Sequence, residues 1–314
     1  MADVPPPTAQ LDLTRLRVLA AVARTGSVTA AARELHYAQP SVSHHLARLE
    51  TEAGIPLLER VGRGVRLTEA GRLLADRAEE IIARVGSAQR ELDALAGLRA
   101  GRARLAAFPS ALATIVPDGV TRLRDAHPGL GVGLVEAEPP EAIAALRSGE
   151  ADVALVFEHD DPGHRGRRTE DLSGFDSTHV LDDVVHLVTR RAAVPTASGP
   201  SARRAASLLR TVEPEAWIAG CERCRADLVS RCAAAGFAPQ IAFETDDYVA
   251  VQALVAAGAG VSLLPGLALR AHRHPDVVAT PLPGAVRRVH ALTVGAPAPP
   301  ARALVEHLVA AGAP

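Results

Sequence analysis

Four groups of residues have side chains and spacings suited to chemistry. The first runs from Ser27 to Arg48 and comprises Ser27, Thr29, Gln39, Pro40, Ser41, Ser43, His44, His45 and Arg48. Gln, Ser and His side chains donate and accept hydrogen bonds, which is what reading base edges and gripping phosphates in a major groove requires. The second group is Arg60, Arg63 and Arg66, three guanidinium groups within seven residues around Gly62 and Gly64, suited to a phosphate backbone. The third is Cys221, Cys224 and Cys232, a CxxC with a further thiol eight residues on. At the start of a helix the dipole favours thiolate, so a redox pair is one chemistry open to it. The fourth consists of residues at the ends of apolar runs, Pro109, Ser110, Phe157, Thr245 and Asp246, joined by Cys221 at its helix start as a candidate for the wall of a ligand pocket. Backbone N–H groups and the Ser110 hydroxyl at a helix start can hold a carboxylate or another anion, although Ser110, Thr245 and Asp246 can equally be helix caps and Phe157 core.

The elements that must position these groups follow from hydrophobic spacing. Ser27 can cap a short helix that puts Ala31, Ala32 and Leu35 on one side. His36, Tyr37 and Ala38 form a turn, and a second helix from Gln39 lines up Val42, Leu46, Leu49 and Ala53 at four-three-four spacing. Its opposite face then carries Pro40, Ser41, His44 and Arg48, with Gln39, Ser43 and His45 on the flanks. Pro40 fits because a first-turn N–H has no helical partner to lose. This is a helix-turn-helix, and the arginine group looks like a wing behind it. Thr68 can cap a long helix in which Leu74, Ala78, Ile81, Val85, Ala88, Leu92 and Leu95 recur at steps of four and three, a stripe that can pack on the chain's own core or serve as a seam for a second copy of the chain, the latter favoured by the winged part before it and the glycines after it. Gly97 to Gly101 reads as a hinge.

From Arg102 the texture changes to short apolar runs alternating with helical stretches. RLAAF, VGLVEA and DVALVF form one set; VLDDVVHLV, Trp217-Ile218, QIAFE and VSLLP form a second. Helices are expected over 111–127, 139–149, 223–235 and 245–257. Two α/β halves with a crossing between them suggest a cleft for a small molecule.

The order of a helix over 13–25, the block GSVTAAARELHYAQPSVSHHLARLE, GIPLLER, a basic wing ending at Leu67-Thr68 and then EAG closely resembles the LysR-type transcriptional regulators. The family usually has Phe where this chain has Leu58, and often Arg or Lys near His44 and His45. The resemblance implies an α/β chain overall: an N-terminal winged helix-turn-helix, all-α with a small β wing, a linker helix that makes the dimer, and a C-terminal two-lobed effector domain like a type 2 periplasmic binding protein. The expected division is a disordered leader over 1–10, the DNA-binding domain over 11–68, the linker over 69–97 and the effector domain over 98–314. Lobe I then holds about 102–177 and 290–314, and lobe II about 178–289. It also implies double-stranded promoter DNA read as an interrupted dyad, a homodimer or homotetramer, RNA polymerase as a further partner and a small-molecule effector touching the residue after the first strand. Some members sense oxidants through cysteines in the second lobe, so a thiol-based regulator using Cys221, Cys224 and Cys232 is the alternative. A binding protein or enzyme without DNA function would leave the N-terminal 68 residues unexplained.

Charge and composition agree with this division. Between Leu11 and Thr68 eight Arg face five acidic residues, a net of plus three, whereas from Ala100 onward 21 Arg face 24 acidic residues, a net of minus three. The chain has neither Lys nor Asn, so its arginine count is not by itself a nucleic-acid signal. MADVPPPTAQ lacks the basic start and apolar core of a signal peptide. The longest apolar region, Val249 to Leu269, is broken by Gln252, glycines and Pro265, so no membrane span is expected and the cytoplasm is the natural compartment. No metal or cofactor is expected: three thiols lack a fourth ligand at metal-site spacing. His159, Asp160, Asp161 and His164 read as a solvated loop, and His272 and His274 as a helix end.

Overall fold

The computed structural model describes residues 11–61, 64–95, 101–160, 172, 174–191 and 201–313. The N-terminal part is α1 (Leu13–Thr25), α2 (Val28–Glu34), α3 (Gln39–Ala53), the hairpin β1 (Leu58–Val61) and β2 (Gly64–Leu67), and the long α4 (Glu69–Leu95). Ser27 caps α2 as its sequence position suggests, its Oγ accepting from the Ala30 N–H at 3.4 Å. Leu16, Leu19, Ala31, Val42, Leu46, Leu49 and Leu57 are buried together. Each large aliphatic among them contributes on the order of 1.5–3 kcal/mol by leaving water. The burial of Val42, Leu46 and Leu49 turns the opposite face of α3 outward.

The Thr68 hydroxyl donates to Pro56 O at 2.9 Å and accepts from the Gly71 N–H at 3.0 Å, pinning α4 to the wing. Gly71 admits no side chain, because a Cβ there would lie 2.0 Å from Leu57 O. The expected seam on α4 divides. Leu74 and Ala78 pack into the helix-turn-helix core, whereas Ile81, Val85, Ala88 and Leu92 stay exposed along one stripe, and Leu73 rather than Leu74 is the exposed residue near the helix start. The side chain of Leu95, the expected hinge over 97–100 and the leader over 1–10 lie outside the described residues.

The remainder is built on β3 (Arg102–Ala107), α5 (Pro109–Leu112), α6 (Ile115–Ala126), β4 (Gly131–Glu136), α7 (Pro139–Arg147), β5 (Val153–His159), β6 (Phe175–Arg190), α8 (Ser201–Thr211), β7 (Ala216–Ala219), α9 (Glu222–Ala235), β8 (Gln240–Glu244), α10 (Tyr248–Ala256), β9 (Val261–Pro265), α11 (Gly266–Ala271), β10 (Val277–Val294) and α12 (Pro299–Gly312). One eight-stranded sheet runs in the order β4-β3-β5-β10-β6-β9-β7-β8. Its two ends, β4-β3-β5 and β9-β7-β8, are parallel, as strands connected through helices must be. Between them β6 and β10 pair antiparallel along nearly their whole length.

These two strands join the lobes. On β6, Val180 belongs to the core of lobe I while Val185 and Leu187 belong to that of lobe II. On β10, Leu282 and Ala285 lie in lobe II while Val289 and Ala291 lie in lobe I. The crossover therefore falls at Asp183 and Arg287, which are cross-strand partners. The helix expected over 111–127 is two helices, α5 and α6, because Thr114 leaves helical geometry (φ −135, ψ −85). Its hydroxyl bonds back to Ser110 O at 2.5 Å. No described helix is long and apolar enough to cross a membrane.

Candidate nucleic-acid interface and inter-lobe cavity

On the N-terminal part, Thr29, Gln39, Pro40, Ser41, Ser43, His44 and Arg48 are exposed, and all but Thr29 belong to α3. Pro40 occupies the first turn, as the missing N–H requires. Ser27 is half-buried with its oxygen engaged in the cap, so its side chain supports the turn rather than reaching outward. His45 is half-buried and stacks on Tyr37, ring centroids 5.9 Å apart. Tyr37, exposed in the turn before α3, adds an aromatic edge to this surface that the sequence reading placed only in the turn. Glu50 ties the helix to the wing by accepting from the Leu57 and Leu58 N–H groups at 2.8 and 3.0 Å.

In the wing, Arg66 is exposed but lies directly opposite Glu59 across the hairpin and donates to it at 2.9 Å. A phosphate must compete with that exposed pair, which is worth little in water. Arg63 and the side chain of Arg60 lie outside the described residues.

The six residues singled out at strand and helix ends, Pro109, Ser110, Phe157, Cys221, Thr245 and Asp246, all line one cavity between the lobes. Glu138, Cys224, Tyr248, Val251, Leu264 and Arg287 complete most of its wall. A cleft whose wall mixes apolar side chains with a few polar groups is a usual place for a small organic molecule.

Arg287 is the buried centre of the wall. Its Nη2 donates to Asp183 Oδ2 at 2.7 Å and to Ser110 Oγ at 2.9 Å, and its Nε donates to the same Asp183 oxygen at 3.2 Å. The Phe108 and Phe157 rings stand against the guanidinium at 4.9 and 4.3 Å. Asp183 also accepts from the Leu267 N–H at 3.0 Å, and a Cβ on Gly266 would come within 2.9 Å of its Oδ1, so the start of α11 is fitted to this carboxylate.

Ser110 is thus a buried acceptor for Arg287 and not a cap. The helix it sits in is a single turn headed by Pro109, which has no N–H to offer an anion. At the opposite wall the cap of α10 is Asp247, accepting from Val249 and Ala250 N–H at 2.8 and 3.2 Å. Asp246 is exposed at the cavity edge. Thr245 accepts only a 3.3 Å bond from the Asp247 N–H.

Glu138 enters from lobe I at the start of α7 with Oε2 buried and without a hydrogen-bond partner. Burial pushes its carboxyl above the usual range, opposed by a hydrogen bond from Cys221 and by the Arg287 charge. Cys221 and Cys224 share a hydrogen bond with sulfurs 3.1 Å apart. That bond holds Cys221 below the usual thiol range and, with burial, drives Cys224 well above it. Cys232 lies in the lobe II core beside Trp217 and Leu228, where burial pushes its thiol up to about 12. The trio expected to act together is therefore a pair on the cavity and one structural cysteine.

His159 does not join a solvated loop. It ends β5 half-buried, with Nδ1 3.3 Å from Asp227, which also accepts from Arg231 at 2.8 Å. Asp161 and His164 lie outside the described residues. Among the described residues no group of three or more His, Cys, Asp or Glu is arranged to hold a metal ion.

An exposed polar helix set in a winged helix-turn-helix, carried by one long helix to a two-lobed α/β unit with a cavity at its crossover, is the build of a transcriptional regulator. A family model described as a bacterial regulatory helix-turn-helix protein of the lysR family matches residues 13–72, and one described as a LysR substrate binding domain matches 96–313. The chain belongs to the LysR family of transcriptional regulators, proteins that act on genes and are not enzymes. It is 30% identical over 281 residues, 89% of each chain, to the probable HTH-type transcriptional regulator LrrA of Synechococcus elongatus. Among solved structures its fold is similar to that of the LysR family regulator CbnR (TM-score 0.56, 22% identity, 97% of this chain and 100% of that one). It is also similar to full-length OxyR from Pseudomonas aeruginosa (TM-score 0.60, 20% identity, 96% of this chain and 95% of that one).

Proposed function

We propose that this regulator binds promoter DNA as a dimer, or as a tetramer made of two such dimers, and changes its grip when a small molecule occupies the inter-lobe cavity. The observation that carries the effector reading is the cavity itself: its wall is drawn from both lobes and includes Arg287, whose partner Asp183 stands opposite it where β6 and β10 cross between them. A ligand that touches both walls binds the closed arrangement better than the open one and shifts their populations. Gln39, Pro40, Ser41, Ser43, His44 and Arg48 read or grip the major groove, His45 and Ser27 brace them, and Thr29, Arg60, Arg63 and Arg66 meet the backbone. The exposed stripe Ile81, Val85, Ala88 and Leu92 supports pairing of two α4 helices, which sets two recognition helices on an interrupted dyad. The solved CbnR complex with its target DNA supports the same mode of use. RNA polymerase at the promoter is the further partner, and the cytoplasm the compartment, that this reading requires.

The test is binding to the chain's own upstream DNA across a salt series. Arg66→Ala should flatten the slope of log affinity against log salt by about 0.9, one phosphate contact. Ser43→Ala or His44→Ala should weaken the cognate fragment more than random DNA. Equal affinity of the wild type for both fragments would sink the reading.

A second reading has a specific observation behind it, the 3.1 Å approach of the Cys221 and Cys224 sulfurs. A peroxide would accept two electrons and two protons from the pair, giving one disulfide and, for hydrogen peroxide, two waters. A Cys221→Ser protein that answers the oxidant normally disposes of this reading.

A further inference from the structure

The charged groups on the cavity wall decide what kind of molecule it takes. Arg287 is its one cationic lining residue among those described, and that charge is already matched by the Asp183 carboxylate at 2.7 Å. The Phe108 and Phe157 rings, their centroids 5.0 Å apart, both stand against the guanidinium, and Ser110 takes a further donor. Arg223 stands over Phe157 at 5.8 Å but does not line the cavity. Two carboxylates remain on the wall that form no ion pair with a described cation, although the Arg287 charge reaches Glu138. Glu138 projects from lobe I with a buried, unpartnered Oε2, and Asp246 stands on lobe II. They are close enough for each to act on the same Cys221 thiol and on one another, and Glu141 adds a further negative charge behind Glu138. Val251, Leu263, Leu264, Ala268 and the Phe157 ring supply an apolar share of the same wall.

We propose that the cavity selects a small organic cation, an amine or guanidinium on a short apolar body, that bridges Glu138 of lobe I to Asp246 of lobe II. This rests on the cavity being the effector site and names the class of effector. The cationic head supplies the donor that Glu138 Oε2 lacks, while the apolar body lies against Val251, Leu264 and Phe157. Two like charges on opposite lobes repel one another, so an unliganded cavity favours separation. A cation between them replaces repulsion with two charge-assisted hydrogen bonds and draws the lobes together. An anion finds the reverse field, and the one cationic residue on the wall among those described, Arg287, is paired with Asp183.

The experiment uses the full chain and matched probes: n-pentylamine and n-butylguanidine, with pentanoate as the anion of the same length. Binding is read by calorimetry, and its place by the rate at which iodoacetamide alkylates Cys221 on the cavity wall. The expected result is that both cations bind and slow alkylation, pentanoate does neither, and Glu138→Gln and Asp246→Asn each weaken the cations roughly tenfold or more. Protection of Cys221 by pentanoate but not by the cations overturns the proposal and leaves the effector cavity standing. Failure of all three probes to bind the wild type at millimolar concentration also overturns it. Cations that bind without slowing alkylation, and still bind when Thr245→Trp fills the cavity, overturn the effector-cavity reading as well. The wild-type comparison of amine with pentanoate decides the class even if a variant does not fold.

Discussion

Arg287 on β10 and Asp183 on β6 are cross-strand partners, joined at 2.7 Å at the place where both strands pass from one lobe to the other. Both side chains are only 3% exposed. A buried pair of this kind holds geometry more than it adds net stability, because the charges give up much of their hydration. Removing one partner is different, since the other is left charged and buried. Arg287→Ala should therefore destabilise the protein by about 3–5 kcal/mol in urea denaturation. Arg287→Met combined with Asp183→Leu should cost clearly less than the two single changes summed. A loss under about 1 kcal/mol for Arg287→Ala would mean that the crossover is held by the backbone ladder alone.

The divided stripe on α4 separates folding from assembly. Leu92 is 60% exposed and Val85 43% exposed within the chain, so Val85→Arg with Leu92→Arg removes no contact described within the chain. The expected outcome is an unchanged melting transition for the N-terminal part, with a shift from dimer to monomer by sedimentation and loss of affinity for a two-half-site DNA. Leu74→Arg, by contrast, introduces a charge beside the core that holds Leu49 and Leu57 and should unfold that part. A double Arg variant that remains dimeric would place the dimer contact elsewhere.

How much of this was legible follows from whether a signal is local. Ser27, Thr68 and the Val42, Leu46, Leu49 stripe announce themselves within one or two helical turns, and the structure puts them where that spacing requires. Ser110, Phe157, Cys221, Thr245 and Asp246 could be singled out because the ends of buried strands converge in an open α/β sheet. Arg287, Asp183 and Glu138 could not. Arg287 and Asp183 are 104 residues apart, and nothing near either names the other. The stretch Val277–Val294 also conceals its 18-residue strand, because Pro281, Pro283 and Gly284 read as a turn while the strand absorbs them at a register shift between Pro281 and Val286. The α4 seam shows the opposite error. A heptad pattern is the same whether a position packs on its own chain or on a second copy, and only the fold shows that Leu74 and Ala78 are already covered.

The three cysteines should separate sharply by reactivity. Alkylation needs thiolate, which the hydrogen bond shared with Cys224 favours at Cys221, while Cys224 is driven well above the usual range and Cys232 to about 12. Mass spectrometry after brief iodoacetamide treatment near neutral pH should find Cys221 modified first and Cys232 protected until the protein unfolds. Cys224→Ala removes the bond that lowers Cys221 and should slow its reaction. Faster labelling of Cys232 than of Cys221 in the native protein would contradict this order.

Glu138 gives the protein a pH dependence whose sign is fixed by burial. Its carboxyl ionises at higher pH in the folded chain than in the unfolded one, chiefly because burial penalises the charged form. Below the ordinary carboxyl range both states hold the proton and no penalty arises. As pH rises through the raised folded value the native state must give up a proton it binds more tightly than the unfolded state does, and stability falls. Cys221, Arg287, Asp246 and Glu141 all act on this carboxyl, and only the first two favour its charge. Glu138→Gln cannot ionise, so its melting temperature should rise relative to wild type over the interval from the ordinary carboxyl range up through the raised folded value. The same shift should make amine binding stronger with pH over that interval and accompanied by proton release, read as a dependence of the binding heat on the buffer's ionisation enthalpy. Parallel melting curves for the two proteins across this range would show that Glu138 is no more buried in solution than an ordinary surface carboxylate.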